Sequence, residues 1–207
     1  MSSTLYTIGH SDHSLDDFLA LLRAQAITAI ADVRSSPYSR RHPQFNREPL
    51  KAALRDAGLT YVFLGRECGA RSEDPACYDQ GRVQYERLAQ TALFQEGLAR
   101  IRAGADTFRL ALMCAERDPL TCHRTILVSR HLVEQGIAVK HVLADGALET
   151  HAMAMTRLRE DLGLQHPDLF CSDAELDVLA YRRQEERIAY TPEEKAPGTA
   201  ATAAEDA

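Results

Sequence analysis

Runs of apolar residues separated by polar segments predict a chain that alternates strands and helices. The clearest run is residues 110–113, Leu-Ala-Leu-Met, which has no polar break and favours a strand buried on both faces. Polar residues begin at Cys114, and Pro119 stands where the first turn of a helix accepts proline. An apolar helical pattern then continues until Gly136. This segment therefore predicts a strand, a polar loop and a helix, in that order.

Similar apolar patterns predict the rest of the fold. The further strands are predicted at residues 5–8, 27–33, 61–64 and 139–143, and the further helices at residues 15–22, 49–57, 83–102, 147–162 and 173–189. Strands that alternate with helices are typical of a parallel sheet with helices on both faces. We therefore predict a single α/β domain with a mainly parallel sheet of about five strands. The domain spans residues 1–190 with helical C-terminal additions, and residues 191–207 are predicted to be a disordered tail.

Residues 35–47 form a polar segment between the second predicted strand and the next helix. It contains two prolines, and together with Arg34 it carries four arginines, one histidine and no acidic residue. Loops longer than about 12 residues in compact domains are usually functional or disordered. The segment is therefore a candidate for binding.

Composition narrows the class of protein. The net charge of −6 argues against a surface that binds polyanions in general. A local basic patch is still possible in the segment from Arg34 to Arg47, which we call the arginine-rich loop. The five cysteines lack the spacing of a disulfide scaffold. The chain opens with no secretory segment, and no apolar run approaches the roughly 20 residues of a membrane span. These features predict a soluble cytoplasmic protein with reduced thiols.

Several short motifs resemble those of a bacterial family catalogued as a domain of unknown function. The motifs are Thr7-Ile-Gly-His-Ser11, Asp32-Val-Arg34, Pro37-Tyr-Ser-Arg40, Leu64-Gly-Arg-Glu67 and Met113-Cys-Ala-Glu116, followed by Cys122-His-Arg124. The resemblance extends from about residue 5 to about residue 190, and it implies no established activity. Cys68 departs from the family pattern, in which an apolar residue and a second glycine are expected, so the resemblance places no role on that cysteine.

Four of these motifs directly follow predicted strands. Because the carboxyl ends of parallel strands meet at one edge of a sheet, we expect the motifs to converge on one crevice. The predicted catalytic residues are His10, Asp32, Cys114 and Glu116. The predicted anion-binding residues are Ser11, Arg34, Ser39, Arg40, Arg66, Cys122, His123 and Arg124, because guanidinium groups and a helix N-terminus bind phosphate or carboxylate. No metal ligands are predicted, since the chain has no Cys-x-x-Cys or His-x-x-x-His pair.

Three function hypotheses follow from these residues. The first is an enzyme that acts on a phosphate-bearing substrate, a nucleotide or nucleic acid, at the carboxyl edge of the sheet. The second is a non-catalytic module for nucleic acid or nucleotides, in which Tyr38 and Phe45 of the arginine-rich loop stack on bases. The third is a thiol or metal protein centred on Cys114, for which the alternative is a buried core cysteine.

The first hypothesis is favoured because it uses the polar residues at all four strand ends. His10, Asp32 or Glu116 would carry out acid–base chemistry. The chain has no Gly-x-Gly-x-x-Gly motif and no Walker loop, which argues against a classical dinucleotide-binding or P-loop fold. The sequence therefore identifies no cofactor. The predicted partner is a small anionic ligand or nucleic acid, and no membrane partner is predicted.

Overall fold

The fold is built on a mainly parallel sheet. The computed structural model describes residues 4–165 and 172–192. Its strands, in chain order, are β1 (Thr4–Gly9), β2 (Ala29–Asp32), β3 (Thr60–Phe63), β4 (Tyr78–Asp79), β5 (Arg82–Val83), β6 (Leu110–Cys114), β7 (Ala138–Val142) and β8 (Leu148–Thr150). One sheet has the order β3-β2-β6-β1-β7-β8, and β4 pairs with β5 separately. Pairing in the larger sheet is parallel from β3 to β7 and antiparallel only between β7 and β8.

The helices lie on both faces of this sheet. They are α1 (Leu15–Ala24), α2 (Arg47–Asp56), α3 (Gly65–Cys68), α4 (Tyr85–Ala89), α5 (Ala92–Thr107), α6 (Arg130–Glu134), α7 (His151–Asp161) and α8 (Asp173–Ile188). On one face, Phe18 and Leu22 of α1 and Leu50 and Leu54 of α2 pack in the same core as Ile30 of β2. On the other face, α4 to α8 enclose a larger core. The predicted single α/β domain with helices on both faces is confirmed.

The register of the strands brings their carboxyl ends together. Asp32 at the end of β2 lies opposite Phe63 of β3 and Met113 of β6, and Gly9 at the end of β1 lies opposite Cys114 of β6. The four strands are neighbours in the sheet, so the residues that follow them leave from one continuous edge. This arrangement is what places the candidate site.

The prediction of one long helix over residues 83–102 is wrong. The chain instead forms β5, then α4, then a break, then α5. The Thr91 side chain accepts a hydrogen bond from the backbone N–H of Phe94 at 3.2 Å and so caps a new helix. The backbone N–H of Val83 donates to the carbonyl of Tyr190 at 3.0 Å, which holds it in a non-helical position. Contacts from distant residues thus divide a pattern that is locally helical.

Two other predicted helices begin later than the sequence indicates. Residues 148–150 form the edge strand β8, and α7 starts only at His151. After β6, Pro119–Thr121 forms a short 3-10 turn with Asp118 as its cap, and Arg124–Ser129 then has π-helical hydrogen bonding before α6. The predicted helix over residues 173–189 is confirmed as α8.

The predicted tail begins at the end of the described residues. Apart from residues 191–192, it lies outside the part of the chain that the structure describes, and it stays a prediction. Among the helices of the described ranges, none combines the length and apolar character needed to cross a membrane.

Candidate functional site

A cleft of about 230 Å³ opens beside the carboxyl ends of β2 and β6. Arg34 and Ser35 reach it from the segment after β2, and Arg71 reaches it from the segment after α3. Cys114 and Glu116 line it from the end of β6. The predicted convergence of separate chain segments at the strand ends is thus present for these residues.

Arg34 is held in a buried clamp. It is 5 % exposed, and its guanidinium group binds the Asp32 carboxylate through two nitrogens, at 2.9 and 2.7 Å. It also donates to the Phe45 carbonyl at 2.9 Å and to His10 Nε2 at 3.2 Å. The Tyr61 hydroxyl donates to the same carboxylate at 2.8 Å. Although burial favours the neutral form, the hydrogen bonds and charge of Asp32 raise the pKa of Arg34.

His10 is a neutral support for Arg34. Its Nδ1 lies 2.9 Å from the Ser11 carbonyl, so Nδ1 carries the proton and Nε2 accepts from Arg34. The ring stacks on Phe45 with 4.4 Å between the centroids. Burial and the Arg34 charge lower the pKa of His10 to about 4. At neutral pH the histidine therefore carries no charge.

Cys114, Cys122 and His123 form a buried cluster in the wall of the cleft, which Cys114 and His123 line. Their relative exposures are 2 %, 1 % and 9 %, and their ligand-type atoms all lie within 4.8 Å of one another. His123 Nδ1 is 3.7 Å from the Cys114 sulfur and 4.0 Å from the Cys122 sulfur. His123 Nε2 donates to the Val33 carbonyl at 2.9 Å, which directs Nδ1 at the two sulfurs. Although burial disfavours the charged ring, the contact with Cys122 and the nearby Glu116 raise the pKa of His123.

The two thiols of this cluster have opposite tendencies. Burial disfavours a thiolate at either residue, but the Cys114 thiol, the Arg124 charge and the His123 ring lower the pKa of Cys122 well below its ordinary value. Burial and the adjacent Cys122 sulfur raise the pKa of Cys114. Glu116 lies 2.9 Å from the Cys122 sulfur, and loss of water around its carboxyl group raises the Glu116 pKa. The surroundings therefore favour the ionised form at Cys122 and disfavour it at Cys114 and Glu116.

Arg124 supports the loop that carries Glu116. Its side chain is fully buried, and its guanidinium group donates to the carbonyls of Glu116 at 2.7 Å and Arg117 at 3.3 Å. The loop also packs closely on β1, because a Cβ placed on Gly9 would lie 1.9 Å from the Glu116 carbonyl oxygen. Arg124 therefore positions backbone from inside the protein and does not line the cleft.

The remaining predicted residues lie in different places. His10 and Ser11 line a neighbouring cleft of about 370 Å³, whose wall also includes Glu116. Ser39 accepts hydrogen bonds from the backbone N–H groups of Arg41 and His42 and so shapes its own loop. Arg40 and Arg66 are exposed, and neither lines either cleft.

Other residues join the site without being predicted there. Tyr85, Tyr190 and Thr121 line the cleft. The two tyrosines come from α4 and from the segment after α8, which no local pattern connects to the strand ends. In the arginine-rich loop, Phe45 is fully buried beneath His10, so its ring is not available to stack on a base.

Comparison with curated proteins and with solved structures finds no match for this chain. A family profile described as domain of unknown function DUF488 matches residues 14–131, more than half of the sequence. The match includes the cleft residues that follow β2 and β6, together with Cys114, Cys122 and His123 of the buried cluster. The chain therefore belongs to the DUF488 family of domains of unknown function.

Proposed function

We propose that this chain is an enzyme that acts on a small phosphate-bearing substrate in the cleft at the carboxyl edge of the sheet. The observation that supports this most directly is that Arg34, Arg71 and Glu116 line the same cleft. Guanidinium groups bind phosphate oxygens well, and a carboxyl group can transfer protons. The cleft volume of about 230 Å³ suits a small substrate or the phosphate end of a nucleotide.

Arg71 supplies the exposed positive charge of this site. It is exposed, and its guanidinium carbon lies 4.4 Å from the centre of the Tyr190 ring. Within the described ranges, no carboxylate lies within ion-pair distance of Arg71. Its charge is therefore available to an anion that enters the cleft.

Arg34 supplies a fixed donor. An arginine has five N–H donors, and Arg34 uses four of them on Asp32, His10 and Phe45. The remaining one belongs to Nη1, and Arg34 is among the residues that line the cleft. Because Asp32 balances the charge of Arg34, this arginine orients a phosphate oxygen more than it attracts the anion.

Glu116 is the acid–base group of the proposed site. Its carboxyl group lines both clefts, and its raised pKa suits a group that both accepts and donates a proton. His10 and Asp32 act behind the cleft as positioning residues, because their side chains hold Arg34.

Binding of inorganic phosphate, AMP and an oligonucleotide with a terminal phosphate tests this proposal by calorimetry and thermal unfolding. We expect AMP or phosphate to raise the melting temperature of the purified protein. Arg71→Ala should weaken binding by about tenfold or more, because a hydrogen bond to a charged group is lost together with the free charge.

Arg66→Ala is the matched control, since Arg66 is also exposed on the segment after β3 but does not line the cleft. It should leave the affinity unchanged. Failure of all three compounds to stabilise the protein would overturn the proposal. Steeply salt-dependent binding of the oligonucleotide without binding of AMP would instead favour a non-catalytic nucleic-acid module.

A further inference from the structure

We propose that Cys114, Cys122 and His123 bind a Zn²⁺ ion on the wall of the cleft. Zinc–sulfur bonds of about 2.3 Å and zinc–nitrogen bonds of about 2.0–2.1 Å in a tetrahedral site place a sulfur and a nitrogen roughly 3.6 Å apart. The two distances from His123 Nδ1 to the sulfurs, 3.7 and 4.0 Å, are close to this value. Only small side-chain movements separate the present cluster from a zinc site.

The surroundings of His123 orient it as a metal ligand. A zinc-bound histidine usually donates its second ring N–H to a carbonyl or carboxylate, which fixes the tautomer and the ring plane. The His123 ring makes this contact with the Val33 carbonyl at 2.9 Å. Its Nδ1 atom therefore faces the two sulfurs before any metal binds, and a metal ion would displace any proton that Nδ1 carries.

The charges of the cluster also match zinc. Two thiolates would balance the two positive charges of the ion, so the filled site adds little net charge to a buried region. The backbone N–H of Arg124 lies 3.4 Å from the Cys122 sulfur and points toward it, which favours the ionised sulfur. Thiolate and imidazole ligands in tetrahedral geometry select zinc over Mg²⁺ or Ca²⁺.

Three protein ligands leave a fourth position of a tetrahedral site to another group. Cys114 and His123 line the cleft together with Glu116, whose carboxyl group lies 2.9 Å from the Cys122 sulfur, so a substrate oxygen or this carboxyl group would be the fourth ligand. Three-ligand sites of this kind are typical of catalytic zinc, whereas structural sites are closed by four residues. The metal site stands on its own geometry, and only the contact between zinc and a substrate oxygen rests on the proposed function.

The cysteines and the histidine are separated in sequence, which explains why spacing does not reveal them. Cys114 ends β6, and Cys122 and His123 follow the 3-10 turn at Pro119–Thr121. The loop between them folds back so that residues eight and nine positions apart meet. Ligand pairs of the Cys-x-x-Cys type need no such loop.

Zinc content and cobalt substitution of the purified protein test this inference. After removal of metal with a chelator, we expect the full chain to bind about one Zn²⁺ per chain, measured by competition with a coloured chelator. Cobalt should give the visible absorption of a tetrahedral site together with a thiolate-to-metal band in the near ultraviolet. Cys122→Ser and His123→Gln should each weaken zinc binding by about tenfold or more, as for loss of a ligand or its support.

Cys77→Ala is the matched control, because Cys77 is a buried cysteine elsewhere in the same core. It should bind zinc as the parent chain does. Absence of stoichiometric zinc binding by the parent chain, or a cobalt spectrum without a thiolate band, overturns the inference even if a ligand variant fails to fold. Phosphate binding by metal-free protein would then leave the proposed function standing, whereas zinc binding without any phosphate affinity would remove the proposed function alone.

Discussion

Arg34 joins three parts of the chain through a single side chain. Its guanidinium group contacts Asp32 of β2, His10 beyond β1 and the Phe45 carbonyl in the arginine-rich loop. A lysine could not replace it, because an ammonium group lacks the planar arrangement of donors that these three partners need. Arg34 therefore lines the cleft and also holds together the three chain segments that meet at its edge.

Arg34→Met is expected to destabilise the protein by about 3–5 kcal/mol, because it leaves the Asp32 carboxylate buried without its partner. Urea unfolding followed by circular dichroism measures the change. Arg66→Met, at an exposed position, should shift the free energy of unfolding by less than about 0.5 kcal/mol. A similar small effect for Arg34→Met would show that the clamp contributes little to stability.

At the scale of elements, the break between α4 and α5 is a specific structural feature. Thr91 donates its hydroxyl hydrogen to the Leu88 carbonyl at 2.8 Å and accepts from the Phe94 N–H at 3.2 Å. These contacts end one helix and begin the next. Tyr85 of α4 lines the cleft, whereas α5 contributes Phe94, Leu98 and Ile101 to the larger core.

Thr91→Ala is expected to cost about 1 kcal/mol of stability, the usual effect of losing a helix N-cap. Thr107→Ala, at the opposite end of α5, removes only a 3.5 Å contact with the Ala103 carbonyl and should cost less. Thermal and urea unfolding of both variants measure the difference. A gain in stability for Thr91→Ala would mean that the two helices fuse without penalty.

Across the whole molecule, the strands and helices enclose several histidines that carry no charge. Thr7, His141, His151 and Tyr181 form a chain of hydrogen bonds from β1 to α8, with distances of 2.8, 3.1 and 2.6 Å. Burial lowers the pKa of His151 to about 4, and burial together with the neighbouring His151 lowers the pKa of His141. His10 is likewise buried and neutral.

These histidines should make the fold sensitive to acid. In the unfolded chain a histidine binds a proton below about pH 6.5, whereas His151 in the folded chain does so only near pH 4. The unfolded state therefore binds more protons in this window, and stability falls as the pH drops from about 6.5 towards 4. For His151 alone the loss at pH 5 is about 2 kcal/mol.

Urea unfolding between pH 7.5 and 5 measures this loss. His151→Gln should remove about 2 kcal/mol of the decrease, although its stability at pH 7.5 is lower because the hydrogen bonds to His141 and Tyr181 are disturbed. An unchanged slope of stability against pH in this variant would contradict the prediction. The slope, unlike the stability at one pH, is independent of how well glutamine packs.

Most of the fold was predictable from local patterns. Apolar runs predict β1, β2, β3, β6 and β7. The runs are clearest for β2 and β6, because a strand buried on both faces needs an unbroken apolar run. The edge strand β8 is not predicted, because three residues are too few to show an alternation of apolar and polar positions. Its backbone pairing with β7 forms only in the folded chain. The helix at residues 83–102 was predicted wrongly because contacts with Tyr190 and the Thr91 cap outweigh local periodicity.

Local patterns predict that polar and ionisable residues follow four strands, and the parallel sheet brings such residues to one edge. What each of these residues does depends on its contacts in the folded chain. Arg34 and Arg124 are bound to protein oxygens while Arg71 is free of carboxylates in the described chain, although all three are identical side chains. The same holds for Cys114, which becomes a candidate ligand only because a loop returns Cys122 and His123 to it. The partners of these hydrogen bonds and the candidate metal ligands come from different segments of the chain. The local pattern of apolar and polar residues does not predict which of those segments come into contact.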